Sequence, residues 1–251
     1  MRHMKHYLLA AGAATMLLSA CQREIETGFT EDAGSVALEG HEALCNYDYH
    51  MEFLTGGVKK EILDRINGTI IRKYLLYDEE AQDVLVPAAC ERWAANIAEA
   101  YKVDAGSFAR EFDTEENFLL NWEFSLDGRF TGGHKSRKLL SYCVQRDEFT
   151  GGAHGMHDSA YNVFDLRTGE LITEDDLFAE GYREGISALM LSRLLEAFEE
   201  DDLFEYPKPN GNFIVDETGI TWCFNPYEIA PYAMGSLEAR LSWEELKPYL
   251  K

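Results

Sequence analysis

His154 and His157 stand three residues apart behind Thr150-Gly151-Gly152-Ala153. Two imidazoles at that spacing can share a metal ion if the segment is helical. The glycines around them point instead to a loop or strand edge, where a Gly-Gly pair serves backbone geometry. His134, behind Thr131-Gly132-Gly133, becomes a third ligand only if the fold brings the two loops together. No His-Glu-x-x-His pattern occurs, so zinc-peptidase chemistry is not indicated. There is no Gly-x-Ser-x-Gly elbow and no glycine loop leading to a phosphate-binding lysine. The reading therefore assigns no metal, no cofactor and no catalytic residue. Asp175-Asp176 is a carboxylate pair of the kind glycosidases use, but its place suits the N-terminus of a helix. The run from Asn225-Pro226-Tyr227 to Pro231-Tyr232-Ala233 is aromatic and punctuated by proline. Tyr227 and Tyr232 are the candidate ligand-binding residues: they could stack on sugar rings, anchor a protein partner, or simply pack the end of a sheet.

Cys21 carries a different chemistry. Arg2 and Lys5 precede an apolar run from Tyr7 to Leu18, and Leu18-Ser19-Ala20-Cys21 closes it. A basic start, a short apolar run and a small-residue exit make a secretory signal, and the run is too short to span a bilayer. The four closing residues resemble a bacterial lipobox. That resemblance implies removal of residues 1–20 and a diacylglycerol thioether on Cys21, with membrane lipid as the first partner. Two or three acyl chains anchor firmly, at about 0.8 kcal/mol per buried CH₂. Gln22 and Arg23 follow the cysteine, so no inner-membrane retention signal is evident. The expected location is the cell envelope, facing the periplasm or the cell surface, on the outer membrane if the cell has two.

The 251 residues are 46% hydrophobic and 27% charged, a globular composition. Acidic residues outnumber basic ones 45 to 23, a formal charge of −22. Loss of residues 1–20 removes two basic residues and no acid, leaving 21 against 45 and a charge of −24. Nucleic acid is excluded as a partner, because a polyanion needs a basic face. A basic protein is favoured electrostatically, and a peptidoglycan fragment is the other candidate partner. Cys45, Cys90, Cys143 and Cys223 allow three disulfide connectivities, and an apolar setting lets a free cysteine serve as a small hydrophobe.

The elements that must position these residues follow from periodicity. Residues 22–36 are polar with no apolar period and read as a tether; residues 21–44 form the lipidated N-terminus. Tyr47, Tyr49, Met51 and Phe53 alternate with Asp48, His50 and Glu52, a half-buried strand. Ile62, Ile66, Ile70 and Tyr74 make a helical stripe over 61–77, and a second helix is expected over 87–101. Phe118 to Leu126 alternates as a strand, with Asp127-Gly128 as a turn. Strands follow near 140–144 and 159–166. Thr173 with Asp176 starts a helix, and Ile186 to Ala197 makes a longer one. A hairpin over 213–224, a strand over 237–241 and a capping box at Ser242 complete the chain. Consecutive strands argue for an α+β fold, a largely antiparallel sheet packed by two or three helices, in two intimately associated subdomains split at 45–149 and 150–251. No linker separates them, so one cooperative unit is expected.

Two stretches together carry a family resemblance. The first joins Gly151-Gly152-Ala153-His154 to Phe164-Asp165-Leu166-x-Thr168-Gly169-Glu170 and Thr173 to Phe178. The second runs Phe224-Asn225-Pro226-Tyr227-Glu228-Ile229-Ala230-Pro231-Tyr232-Ala233-x-Gly235. In that order they resemble the extracytoplasmic domain of unknown function found in the anti-sigma factor RsiV and beside the deacetylase domain of PdaC. The region 45–145 is similar to the companion module that usually precedes it. The resemblance implies an α+β domain outside the cytoplasmic membrane. In RsiV that domain binds lysozyme; in PdaC catalysis belongs to the separate deacetylase domain. The sequence shows no transmembrane helix, sigma-binding segment or deacetylase domain, so neither activity is carried over, and no ligand-contacting residue is. The expectation is a non-catalytic binding module for an envelope-directed, lysozyme-like protein or a cell-wall glycan. The alternative is a hydrolase of wall polysaccharide, metal-dependent or carboxylate-based, using His154 and nearby acids.

Overall fold

The computed structural model of the protein describes residues 14–15, 24–76, 84–112 and 117–251. Cys21 and nearly all of the expected signal lie outside them. The larger sheet holds five long strands in chain order: β1 (Glu26–Ala37), β2 (Leu44–Gly56), β3 (Trp122–His134), β4 (Leu139–Phe149) and β5 (Met156–Asp165). Ala14–Thr15 pairs briefly with Glu26–Thr27 at the β1 edge. Every neighbouring pair among the five is antiparallel except β2 and β3, which run parallel with Cys45 opposite Trp122. A parallel pair needs a long crossover. Here it contains α1 (Lys60–Tyr74) and α2 (Val86–Phe112).

Both helices cover one face of this sheet. Ile62, Ile66, Ile70 and Ile71 of α1 and Ala89, Cys90 and Ala94 of α2 pack on Met51, Leu126, Tyr142, Val144 and Phe164. Each large aliphatic side chain so buried contributes about 1.5–3 kcal/mol. The stripe predicts where α1 sits; it does not predict the work of Asn67. Its Nδ2 donates to Leu54 O at 2.8 Å and its Oδ1 accepts from Leu54 N at 2.9 Å, closing the end of β2. At the other end of α1, Lys73 Nζ and Tyr74 Oη donate to the buried Asn162 Oδ1 of β5 at 2.8 and 2.9 Å.

The smaller sheet has β6 (Phe213–Val215), β7 (Gly219–Phe224) and β8 (Leu237–Ser242), all antiparallel. It packs on a helix over Tyr182–Leu194 through Ile186, Met190, Phe213, Trp222 and Leu241. Leu139 and Val163, from β4 and β5, belong to this second core, while their neighbours Leu140 and Phe164 belong to the first. The period of two sends alternate residues of one hairpin into two cores. Ser141 seals the junction: Oγ donates to Val215 O at 2.7 Å and accepts from Val215 N at 2.9 Å.

Several expectations change. Residues 26–37 are no tether but a strand paired with β2 along its length, with Ile25 buried in the core. Asp127-Gly128 does not turn the chain; both sit mid-strand, opposite His50 and Met51 on one side and Gln145 and Val144 on the other. Glycine stands there because a Cβ would lie 2.3 Å from the Tyr142 hydroxyl and 2.8 Å from the Met51 thioether. Helix α2 continues to Phe112 because Tyr101, Ala105 and Ala109 extend its buried face against Leu38, Cys45 and Leu120. The boundary at 149/150 falls inside a hairpin, since β4 and β5 pair from Leu139–Asp165 to Glu148–Met156. The capping boxes at Thr173–Asp176 and Ser242–Glu245 form as the sequence predicts.

Candidate functional site

The face of the large sheet away from α1 and α2 divides in two. Leu139, Ser141 and Val163 lie under the small sheet. Asn46, Asp48, Glu123, Ser125, Asp147 and His157 share the uncovered end. There they line a cleft of about 520 Å³ together with Glu148 and Phe149. Alternation alone places them: Asn46 and Asp48 point opposite to Tyr47 and Tyr49, and the parallel register sets Glu123 and Ser125 beside them. Ser125 Oγ donates to Asp48 Oδ2 at 2.7 Å. Asp147 and His157 are direct cross-strand partners and are joined through Oδ1 and Nδ1. The next pair along, Arg146 and Asp158, is joined at 3.0 Å.

The aromatic segment closes the rim. Asn225 Oδ1 accepts from Ser159 N at 2.8 Å and its Nδ2 donates to Ser159 O at 3.1 Å. Asn212 bonds the same strand, accepting from Tyr161 N at 2.6 Å and donating to Ser159 O at 2.9 Å. These two amides satisfy the free edge of β5 and fix the segment beside the cleft. Tyr232 Oη then donates to Gly155 O at 2.7 Å. The His154 ring stacks on Tyr232 with centroids 4.5 Å apart, and the Tyr227 ring lies 5.5 Å from that of Tyr232. Tyr227 is 53% exposed and holds a left-handed φ of +71°. A bulky residue in that region is strained by about 1 kcal/mol or more, and such strain collects at functional sites. Gly151, at φ +88°, could not carry a side chain: its Cβ would lie 2.4 Å from Leu119 O. The Gly-Gly pair therefore does serve the backbone and sets His154 on the rim.

The structure thus gathers Tyr227, Tyr232, His154 and His157, which the sequence had singled out separately. It leaves His134 elsewhere, 5.1 Å from the Trp243 ring and 3.9 Å from Glu217. Among the described residues no group of three His, Cys, Asp or Glu side chains is arranged to hold a metal ion. Asp175 and Asp176 sit on the short helix Glu174–Leu177, where Asp176 caps Thr173 and Asp175 accepts from the Tyr182 hydroxyl at 2.9 Å. Cys45, Cys90, Cys143 and Cys223 are free thiols. The cleft carboxylates Asp48, Glu123, Asp147 and Glu148 come from three strands and carry no local motif. Only the strand register brings them together.

Chemically, the cleft offers four carboxylates, of which Asp147 is joined to His157 and Glu148 has Arg146 at 3.5 Å, beside an aromatic platform. That arrangement suits a cationic side chain placed next to an apolar or planar group.

Comparison with known proteins agrees with the fold. Among curated proteins none matches the chain. A crystal structure of a DUF3298 family member from Bacteroides fragilis NCTC 9343 superposes with a TM-score of 0.81 at 21% identity, covering 90% of this chain and 94% of that one. A DUF3298 family protein from Pseudomonas aeruginosa PAO1 gives 0.64 at 16% identity, with the same coverage. Residues 175–244 match the family model described as "Protein of unknown function (DUF3298)". The C-terminal part of this α+β chain, which includes the small sheet and the Tyr227–Tyr232 rim, is a DUF3298 domain.

Proposed function

We propose that the protein is a lipid-anchored binding module of the cell envelope. In this reading residues 1–20 are removed and Cys21 is acylated, and residues 45–145 act as the companion module of the C-terminal domain. The cleft takes a cationic side chain of a basic, envelope-directed protein. The observation that carries this is that Tyr232, which holds His154 and Tyr227 beside it, bonds Gly155 and lies 6.3 Å from the His157 ring, both of which line the cleft with Asp48, Glu123, Asp147 and Glu148. A mature charge of −24 supports fast association with such a partner, with a field that reaches about 8 Å at physiological ionic strength. A wall glycan is the second reading, favoured by the exposed Tyr227 ring.

The test uses soluble Cys21→Ala protein with lysozyme and with purified peptidoglycan fragments at two salt concentrations. The first reading expects lysozyme binding that weakens with salt and with Asp48→Asn/Glu123→Gln. The glycan reading expects salt-insensitive binding lost in Tyr227→Ala or Tyr232→Ala. Binding of neither probe overturns both. Turnover of the fragments by the same preparation, abolished in Asp147→Asn, would favour the hydrolase alternative instead.

A further inference from the structure

Glu24 opens the continuous described stretch that leads into β1, and its carbonyl lies against Gly57, where a Cβ would come within 2.1 Å. Ile25 is buried in the first core. Cys21 is three residues upstream, so its backbone lies within about 11 Å of Glu24 even when extended. A lipid on Cys21 therefore holds the domain on the bilayer at the corner where β1 starts, β2 ends and α1 begins. At that corner is a groove of about 890 Å³ lined by Phe53, Leu63, Val84 and Leu85, with Lys60 and Arg72 among its lining. Leu85 is 76% exposed.

Cations lie at the same face. Lys60 and Arg72 line the groove together with Asp64, next to Lys59, whereas Arg65 pairs with Glu170 at 2.9 Å and Lys73 donates to the buried Asn162 at 2.8 Å. Asp78, Glu79, Glu80 and Asp83 lie outside the described residues. Each cation near an anionic lipid surface favours the orientation that brings it there about fivefold.

We propose that the groove face is the membrane-facing side of the protein, resting on the phospholipid bilayer that holds the Cys21 acyl chains. Leu85 lies at the boundary between headgroups and acyl chains, and Lys59, Lys60 and Arg72 lie on lipid phosphates. The carboxylate cleft, on the opposite face of the sheet, then points away from the bilayer. The inference rests on the lipid-anchor reading.

The test uses the full mature lipoprotein in phosphatidylcholine/phosphatidylglycerol vesicles, with acylation of Cys21 checked by mass spectrometry. A fluorophore is placed at Leu85→Cys or, on the cleft rim, at Ala233→Cys, and brominated lipids serve as quenchers. The expected result is severalfold stronger quenching at position 85 than at 233, with the difference reduced by Lys59→Glu/Lys60→Glu. Acylated, vesicle-bound protein with equal quenching at both positions overturns the orientation and leaves the anchor standing. An unmodified Cys21 overturns the anchor, and the membrane face with it.

Discussion

Gly128→Ala tests the sheet register directly. A turn at Asp127-Gly128, which the sequence suggests, would tolerate or reject alanine according to φ alone. The structure gives a different reason for glycine. Its absent side chain leaves room for the Tyr142 hydroxyl, whose proton goes to Glu52 O at 2.9 Å, and for the tip of Met51. Both side chains are fully buried. Alanine gains about 0.5–1 kcal/mol of strand propensity. Against that, overpacking costs about 1–3 kcal/mol. Displacing the tyrosine leaves a buried carbonyl unpaired, at about 1–3 kcal/mol more. The balance is a loss of about 3 kcal/mol, which for a chain of this size lowers Tm by about 6–12 °C. Calorimetry or urea unfolding measures it. Tyr142→Phe removes the hydroxyl in contact, so the double variant Gly128→Ala/Tyr142→Phe should be more stable than the sum of the single changes by about 1 kcal/mol or more. A Gly128→Ala protein within 0.5 kcal/mol of the parent would sink the register argument, whatever the double variant does.

Three further outcomes are expected. Burial pushes the Cys45 and Cys143 thiols up to about 11 and Cys90 and Cys223 up to about 12, so soluble Cys21→Ala protein should react slowly with maleimide at pH 8 and release four thiols on denaturation; a fast native thiol refutes this. At Asp216, burial acts to raise the carboxyl, but hydrogen bonds from Thr218 and Arg240 outweigh it and hold the group at about 2. Its stabilisation is present above the unfolded value of about 3.9 and fades as pH falls through about 2, so Asp216→Asn should flatten stability across that acid window in pH-dependent urea melts. Glu174 is buried and accepts from Gly211 N at 2.7 Å and from Trp222 Nε1 at 3.2 Å. Glu174→Ala strands both donors and should cost about 2–4 kcal/mol by urea unfolding; a cost below 1 kcal/mol would show that these bonds matter little.

Elements with an uninterrupted period were legible in the sequence. The alternation from Tyr47 to Phe53 and the stripe Ile62–Ile66–Ile70 give β2 and α1 to within a few residues. What failed had a reason that lies far away in the chain. Strand β1 carries Gly28, Gly34 and the three acids Glu26, Glu31 and Asp32, and shows little apolar period because it is a solvated edge. Gly128 reads as a turn because nothing local announces Met51 and Tyr142. Phe118 and Leu120 continue an alternation into what is a short helix, Asn117–Leu120, and only Trp122 onward pairs with Cys45 and its successors. The site divides likewise. Tyr227, Tyr232 and His154 stand out by residue type, whereas Asp48, Glu123 and Asp147 are three acids among 45 until the parallel register of β2 and β3 sets the first two diagonally on one face.

The hairpin of β4 and β5 has a consequence for how the chain can be cut. Leu139 and Val163 form one wall of the core that Trp222, Phe213 and Ile186 fill, and Ser141 closes it against Val215. The stretch from 175 to 244 lacks that wall. Expressed alone, it would present an apolar flank and an unpaired Val215 backbone to water, which favours association over folding. The smallest portable unit that keeps the aromatic rim intact therefore begins before Leu139. Because β4 is itself paired to β3, and β3 to β2 in parallel across both helices, that unit extends back to the first strands. A fusion or display format that preserves the rim has to carry the whole chain from Glu24 onward.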